Sequence, residues 1–266
     1  MRIHGKEITT IVSDLDGTLL GKKKEPDPAL FPVIKELKKR GVSFVAASGR
    51  QYNNMRLILE PILDETPFIC ENGSLIVKNE ETVYIKYIPK ELSFELLDDM
   101  LAVPGTETIV SCERSLYTLE NRTDFIRYMN EFLKPDVNTV KDYRQIAGGF
   151  NKISIWWKDG IPEKEEKWFH EKYDTRLQVA DAGNGWLDFT MDGANKGTAL
   201  RELAKRDGLC LDKALCFGDS DNDVAMFREC AISYAMASGK ENVRAEADYI
   251  CADVGEALRE FLIADF

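Results

Sequence analysis

The run Ile8-Thr9-Thr10-Ile11-Val12-Ser13 constrains the fold more than any other stretch, because a β-branched, largely apolar segment of this length reads as a strand buried on both faces. It ends in acid, at Asp14. Asp27-Pro28 then supply an N-cap and a first helical residue, Leu30, Val33, Ile34 and Leu37 recur at i, i+3, i+4 and i+7, and Gly41 stops the helix. Residues 42–47 form a second buried strand. A strand, a helix and a strand joined by short connections imply parallel pairing through a right-handed crossover, so a doubly wound parallel sheet begins here.

Further on, a helix over about 51–63 and a third strand at 67–70 extend the pattern, and then the period changes. Residues 74–77 and 82–87 read as an antiparallel hairpin. Helices near 90–102 and 123–133 alternate with strands near 108–112 and 115–119, and strands at 153–157 and 177–180 flank a helix opening at Pro162. The parallel pattern resumes after Asp192 with a helix at 196–207, a strand at 214–217, a helix at 222–230, a strand at 231–235, a helix at 240–246, a strand at 249–251 and a last helix at 254–262. The expected fold class is α/β: a doubly wound, Rossmann-like core of residues 1–85 and 188–266, interrupted by an inserted α+β domain at 86–187.

Charge excludes several functions. With 35 Lys and Arg against 46 Asp and Glu among 266 residues, the net charge of −11 repels nucleic acid and anionic membranes, and the longest basic run is Lys22-Lys23-Lys24, which reads as a solvated turn. No apolar run approaches the ~18 residues of a membrane span and the N-terminus is charged, so the expected location is the cytoplasm. Six cysteines without a C-x-x-C pair read as reduced thiols, most of them buried. His4 and His170 are too few and too poorly placed for a catalytic triad or an imidazole zinc site, which leaves chemistry to carboxylates.

Three clusters sit where parallel strands give way to loops, the edge where such sheets bind ligands. In Asp14-Leu15-Asp16-Gly17-Thr18-Leu19, two carboxylates two apart can address one point beyond the strand, Gly17 allows the turn and Thr18 can hold it. One acid could serve as nucleophile and metal ligand. The other, with its pKa raised by the like charge beside it, could act as general acid and then base, although a solvated acidic turn has the same spelling. Ser48-Gly49-Arg50 makes a small anion cradle or an ordinary turn. The third comprises Gly193-Ala194-Asn195-Lys196-Gly197 and Gly218-Asp219-Ser220-Asp221-Asn222-Asp223. Its close acids repel unless a cation or full exposure to water relieves them, and oxygen-only ligands favour Mg²⁺ over zinc.

The order of D-x-D-G-T-L at 14–19, Ser48, Lys196 and G-D-x-x-N-D at 218–223 resembles the haloacid dehalogenase superfamily of aspartyl-phosphate phosphotransferases. The insert resembles the large cap of the IIB branch, as do Ser48-Gly49-Arg50, Glu71-Asn72-Gly73 and Asn195-Lys196-Gly197. The resemblance implies that Asp14 attacks phosphorus, and that Asp16 protonates the leaving alcohol and later activates water. It further implies that Asp14, the Asp16 carbonyl and Asp219 hold Mg²⁺, with Asp223 in support. Leu15 and Gly49 N–H groups, Ser48, Lys196 and Asn222 would hold phosphate oxygens. Electrostatics agrees, since a phosphate dianion cannot approach Asp14 and Asp219 unless Mg²⁺ and Lys196 supply positive charge. The implied partner is a small phosphorylated metabolite, a sugar phosphate or similar, with no nucleic acid or membrane. Arg114, Arg122, Arg144, Trp156, Trp157 and Trp186 are the cap residues to watch, and Trp156 and Trp157, adjacent in a strand, must point to opposite faces. A phosphomannomutase-like phosphohexomutase and a non-catalytic phosphate- or metal-binding regulator are the competing readings; the second has no need of the acid/base residue Asp16.

Overall fold

The computed structural model describes residues 1–21, 25–64, 66–130 and 137–264; the basic run 22–24 and the end of the helix expected at 123–133 lie outside the described residues. The chain divides into two compact units, Met1–Tyr84 with Asn195–Phe266, and Ile85–Ala194.

The first unit opens with a two-residue hairpin, β1 (Arg2–Ile3) and β2 (Lys6–Glu7), followed by β3 (Thr10–Asp14), α1 (Leu30–Lys39), β4 (Ser43–Ala47), α2 (Tyr52–Ile58), β5 (Phe68–Cys70), β6 (Leu75–Lys78) and β7 (Glu81–Ile85). Every residue of β3 is buried, as its composition requires. Helix α1 starts later than Asp27, which instead holds the preceding turn by accepting the Ala29 N–H at 3.0 Å, and it buries Leu30, Ile34 and Leu37. The helix expected to run to 63 stops at Ile58 and continues as a 3₁₀ turn, Glu60–Ile62, because Pro61 offers no N–H and crowds the turn before it.

The inserted unit comprises α3 (Lys90–Ala102), β8 (Thr106–Ser111), β9 (Leu116–Leu119), α4 (Thr123–Tyr128), β10 (Val137–Val140), β11 (Lys152–Trp157), α5 (Glu163–Tyr173), β12 (Leu177–Gly183) and β13 (Trp186–Met191). Its sheet has the order β10-β9-β8-β11-β13-β12, with β9 and β10 parallel and the remaining neighbours antiparallel. Alternation along β11 sends Ile153, Ile155 and Trp157 into a core with Leu96, Met100, Phe169, Leu187 and Phe189, while Trp156 stacks on Tyr128 and Phe125. The boundary expected at 187/188 falls inside β13, a strand in which Leu187, Phe189 and Met191 alternate with Asp188 and Thr190, the acid being buried. This acid accepts a 2.6 Å hydrogen bond from Ser154 and pairs with Lys152 at 3.1 Å. Arg144 and Arg122 are taken up by Asp98 and Glu107.

The chain then completes the first unit with α6 (Lys196–Asp207), β14 (Ala214–Gly218), α7 (Val224–Phe227), β15 (Ile232–Met236), α8 (Glu241–Ala245), β16 (Tyr249–Cys251) and α9 (Val254–Ala264). The helix expected at 222–230 is shorter, since Asp221–Asp223 forms a tight 3₁₀ turn ahead of it. The eight-stranded sheet runs β16-β15-β14-β3-β4-β5-β6-β7, parallel from β16 through β5 and antiparallel between β5 and β6. Val12, Val45 and Cys216 pack with Leu200, Leu203 and Met226 on the side of α6 and α7, and alternation sends the equally buried Ile11, Phe44 and Leu215 to the other. Strand order reverses between β3 and β14, the switch point at which two loops part and leave a crevice beyond the strand ends. Among the described residues no helix is long and apolar enough to cross a membrane. None of the six cysteines is in a disulfide; three are buried and Cys210 is exposed.

Candidate active site

Asp14 closes β3 and Gly218 closes the adjacent β14, so the loops that follow begin side by side at the switch point. After Asp14 the backbone leaves strand geometry. Asp16 is extended and Gly17 takes φ +78°, and the reversal closes when Leu20 N–H reaches Leu15 carbonyl at 2.9 Å. Glycine is required at 17 for a second reason: a Cβ there would stand 2.2 Å from Asp219 Oδ2. Thr18 does not hold its own turn as expected but donates to Asp219 Oδ1 at 3.1 Å, tying the two loops together.

Lys196 is the first residue of α6. Asn195 caps the helix by accepting Thr198 N–H at 2.8 Å, while Thr198 Oγ1 accepts Asn195 N–H at 3.1 Å. Gly197 lets α6 lie against α7, since a Cβ there would come within 2.3 Å of the Ala225 carbonyl. The lysine is thereby buried with its Nζ 2.6 Å from both Asp14 Oδ1 and Asp223 Oδ1. The other oxygen of Asp223 accepts the N–H groups of Asp219 at 2.9 Å and Ser220 at 3.0 Å, so Asp223 is fully occupied in shaping its loop.

Charge is not balanced in this cluster. One ligand atom each from Asp14, Asp219 and Asp223 lie within 4.8 Å of one another, and among the described residues Lys196 is the one cation bonded to them. Asp14 Oδ2 is buried and makes no hydrogen bond among the described residues. Burial pushes the Asp14 carboxyl up to about 8, against the pull of Lys196 and with help from Asp223 and Asp219. Burial and Asp223 also raise Asp219. Burial opposes the charge on Lys196, but Asp14 and Asp223 outweigh it and hold the ammonium above its ordinary value. An orphaned buried carboxylate oxygen, three acids to one ammonium and an oxygen-only donor set fit a hard divalent cation.

Asp221, grouped with these acids by spacing, belongs elsewhere. It is exposed, and Lys240 and Asn242, each at 2.5 Å, hold its carboxyl below its ordinary value. Asp16 is likewise separated from the crowding expected of it. Arg50 grips both of its oxygens at 2.6 Å, and Arg50 is itself fixed by Asn54 at 2.5 Å. Ser48 is buried at the end of β4, where its hydroxyl accepts Arg50 N–H at 3.1 Å and keeps its own proton for another acceptor. Asn222 is exposed and donates to Asn72 Oδ1 at 3.0 Å. Spacing missed the Arg50–Asp16 fork and Asn72, although both residues stand in the motifs quoted above. The geometry places a buried carboxylate on Lys196, a second carboxylate held by Arg50, and the Ser48 hydroxyl and Asn222 amide at one strand edge.

A family model for haloacid dehalogenase-like hydrolases matches residues 11–257. The chain is 28% identical over 243 residues to the 5-amino-6-(5-phospho-D-ribitylamino)uracil phosphatase YbjI of Escherichia coli, covering 91% of this chain and 90% of the relative. It is 22% identical over 252 residues to the pyridoxal phosphate phosphatase YbhA of the same organism, covering 91% and 93%. Among solved structures, one from Eubacterium rectale superposes with a TM-score of 0.85 at 25% identity, covering 96% of this chain and 99% of that one. A haloacid dehalogenase subclass IIB sugar phosphatase shares the fold with a TM-score of 0.80 at 23% identity, covering 96% and 99%.

Proposed function

Since this chain belongs to the haloacid dehalogenase-like hydrolase family and is a phosphoric monoester hydrolase, we propose that it is a Mg²⁺-dependent cytoplasmic phosphatase of small phosphorylated metabolites, sugar phosphates among them, working through an aspartyl phosphate on Asp14. The observation that carries this reading is the buried Asp14, with one oxygen on Lys196 and the other, beside Asp219, without a hydrogen bond among the described residues.

In the first step an Asp14 oxygen attacks phosphorus in line, the bond from phosphorus to the ester oxygen breaks, and Asp16 gives that oxygen a proton. In the second, Asp16 takes a proton from water as the water oxygen bonds phosphorus, and the Asp14–phosphorus bond breaks to release phosphate. Because Arg50 holds both oxygens of Asp16, each proton transfer requires one of these bonds to open, and the other keeps the carboxyl aimed. Lys196 neutralises charge on the attacking carboxylate and on the phosphoryl oxygens. The Ser48 hydroxyl, the Leu15 and Gly49 N–H groups and Asn222 would receive the remaining phosphoryl oxygens. Asp14, the Asp16 carbonyl and Asp219 would hold Mg²⁺, with Asp223 fixing their loop; when bound, the ion offsets the negative charge of carboxylates and phosphoryl group together.

The names of the two relatives, a phosphoribitylamino-uracil phosphatase and a pyridoxal phosphate phosphatase, and the sugar phosphatase of like fold support a small phosphate monoester as the substrate class. We read the inserted unit as the cap that selects the leaving group. The test is a screen of purified protein with Mg²⁺ against phosphorylated metabolites, scored by released phosphate. An isomeric ester in place of phosphate from a hexose 6-phosphate would replace the phosphatase with a mutase, and no turnover of any ester would refute the reading.

A further inference from the structure

Three residues in succession between β5 and β6, Glu71, Asn72 and Gly73, take left-handed backbone angles, with φ of +51°, +54° and +94°. Two of them carry a Cβ, so the turn is strained, and strain of this kind persists only where the surroundings dictate it. The surroundings are the motif loops. Glu71 N–H donates to the Arg50 carbonyl at 3.0 Å and Asn72 N–H to the Ser48 carbonyl at 3.1 Å. The missing Cβ of Gly73 makes room for the Asn195 carbonyl, which would lie 2.3 Å from it, and that of Gly49 makes room for Asn72 Oδ1, which would lie 2.9 Å from it. The turn thus lies against the loop after β4 and the start of α6, and its one amide side chain reaches the loop after β14 by accepting Asn222 Nδ2 at 3.0 Å.

We propose that Asn72 is a positioning residue for phosphoryl binding: it fixes the Asn222 amide in the orientation that receives a phosphoryl oxygen. The inference rests on the phosphatase reading above and adds to it a residue with no assigned role. An exposed asparagine amide without a partner samples several rotamers, and each must be given up when it binds an anion. Accepting one Asn222 N–H removes that freedom in advance and leaves the second N–H for the phosphoryl group. Asparagine suits position 72 because it tolerates the left-handed region better than most residues while carrying an acceptor. Glycine would satisfy the backbone equally well and lack the amide, which makes it the clean probe.

The experiment compares wild type, Asn72→Gly, Asn222→Ala and the double variant with Mg²⁺, measuring kcat, KM and the inhibition constant for inorganic phosphate. Asn72→Gly should raise KM and the phosphate inhibition constant about fivefold or more, as expected for a weakened hydrogen bond to a charged group, with kcat within about twofold. Asn222→Ala should do the same, and the double variant should be no weaker than the worse single, because both act through one amide. Unchanged KM and phosphate inhibition in Asn72→Gly would overturn the proposal, as would a double variant in which the two losses multiply. A fall in kcat alone, the mark of lost folded enzyme, would also overturn it. A wild-type enzyme that released no phosphate from any ester would instead remove the phosphatase reading, and this inference with it.

Discussion

Each unit buries an acid, and the two are treated in opposite ways. Asp188 in the inserted unit receives a hydrogen bond from Ser154 and a counter-charge from Lys152, one anion against one cation. Asp14 in the first unit shares the Lys196 ammonium with Asp223, stands near Asp219 as well, and among the described residues leaves an oxygen without a hydrogen bond. A balanced buried pair is a structural arrangement that tolerates no further charge. An unbalanced one is stable in the presence of a cation and can then accept an anion. The charge ledger of a buried cluster, more than the presence of a buried acid, therefore tells which of the two can bind and react.

The contrast breaks first on activity. Asp14→Asn should leave less than about 1% of wild-type phosphate release, a loss of ~2.7 kcal/mol or more in barrier, whereas Asp188→Asn should leave kcat within about twofold. Equal losses in the two variants would erase the distinction. Dialysis against EDTA should silence the enzyme and added Mg²⁺ restore it. Because burial pushes the Asp14 carboxyl up to about 8, Mg²⁺ binding at pH 7 should also release protons, seen by calorimetry in buffers of different ionisation enthalpy and absent in Asp14→Asn. Activity surviving chelation would contradict the cation reading of the cluster.

A smaller effect should come from Arg50→Ala, which frees both oxygens of Asp16. Turnover of alkyl phosphates, which need a proton on the leaving oxygen, should fall about tenfold further than turnover of an aryl phosphate with a good leaving group. An equal fall for both would remove Asp16 orientation as the role of Arg50. In the inserted unit, Asp188→Asn should lower unfolding free energy by about 2–3 kcal/mol by removing the buried carboxylate that Ser154 and Lys152 both contact, read from urea denaturation. A shift below about 0.5 kcal/mol would mean that this pair is as dispensable as a surface one.

The smallest effect is a pH dependence. With the metal chelated, the raised Asp14 pKa means that folding favours the protonated acid, so its contribution to stability is complete below about 4 and lost as pH rises toward about 8. The melting temperature of the wild type should therefore fall relative to that of Asp14→Asn across this window, and Mg²⁺ should cancel the trend. A constant difference between pH 4 and 8 would place Asp14 outside the buried, crowded setting described above.

Much of this was legible in the sequence. Parallel strands ending in acid marked β3 and β14 as sites of convergence, and the order of motifs in the family resemblance, together with electrostatics, brought Lys196 to them. What could not be read were pairings decided by side-chain direction. Spacing alone grouped Asp221 with Asp219 and Asp223, but the 3₁₀ turn at 221–223 sends it to Lys240 and Asn242. Proximity in sequence suggested that Asp16 would crowd Asp14, yet the φ of Gly17 and the reach of Arg50 separate their environments. Strand β13 was missed although Leu187-Asp188-Phe189-Thr190-Met191 alternates as a strand should, and its partners on β11 show how the sheet accommodates a buried acid.

The placement of β14 between β3 and β15 has a consequence for how the protein is made. One edge of β3 stays without its neighbour on the nascent chain until a strand encoded roughly 200 residues later leaves the ribosome, a wait of about 10 to 40 s at ordinary rates of synthesis. A naked apolar strand edge invites pairing with other chains. During that interval the newborn polypeptide depends on whatever shields it from its neighbours.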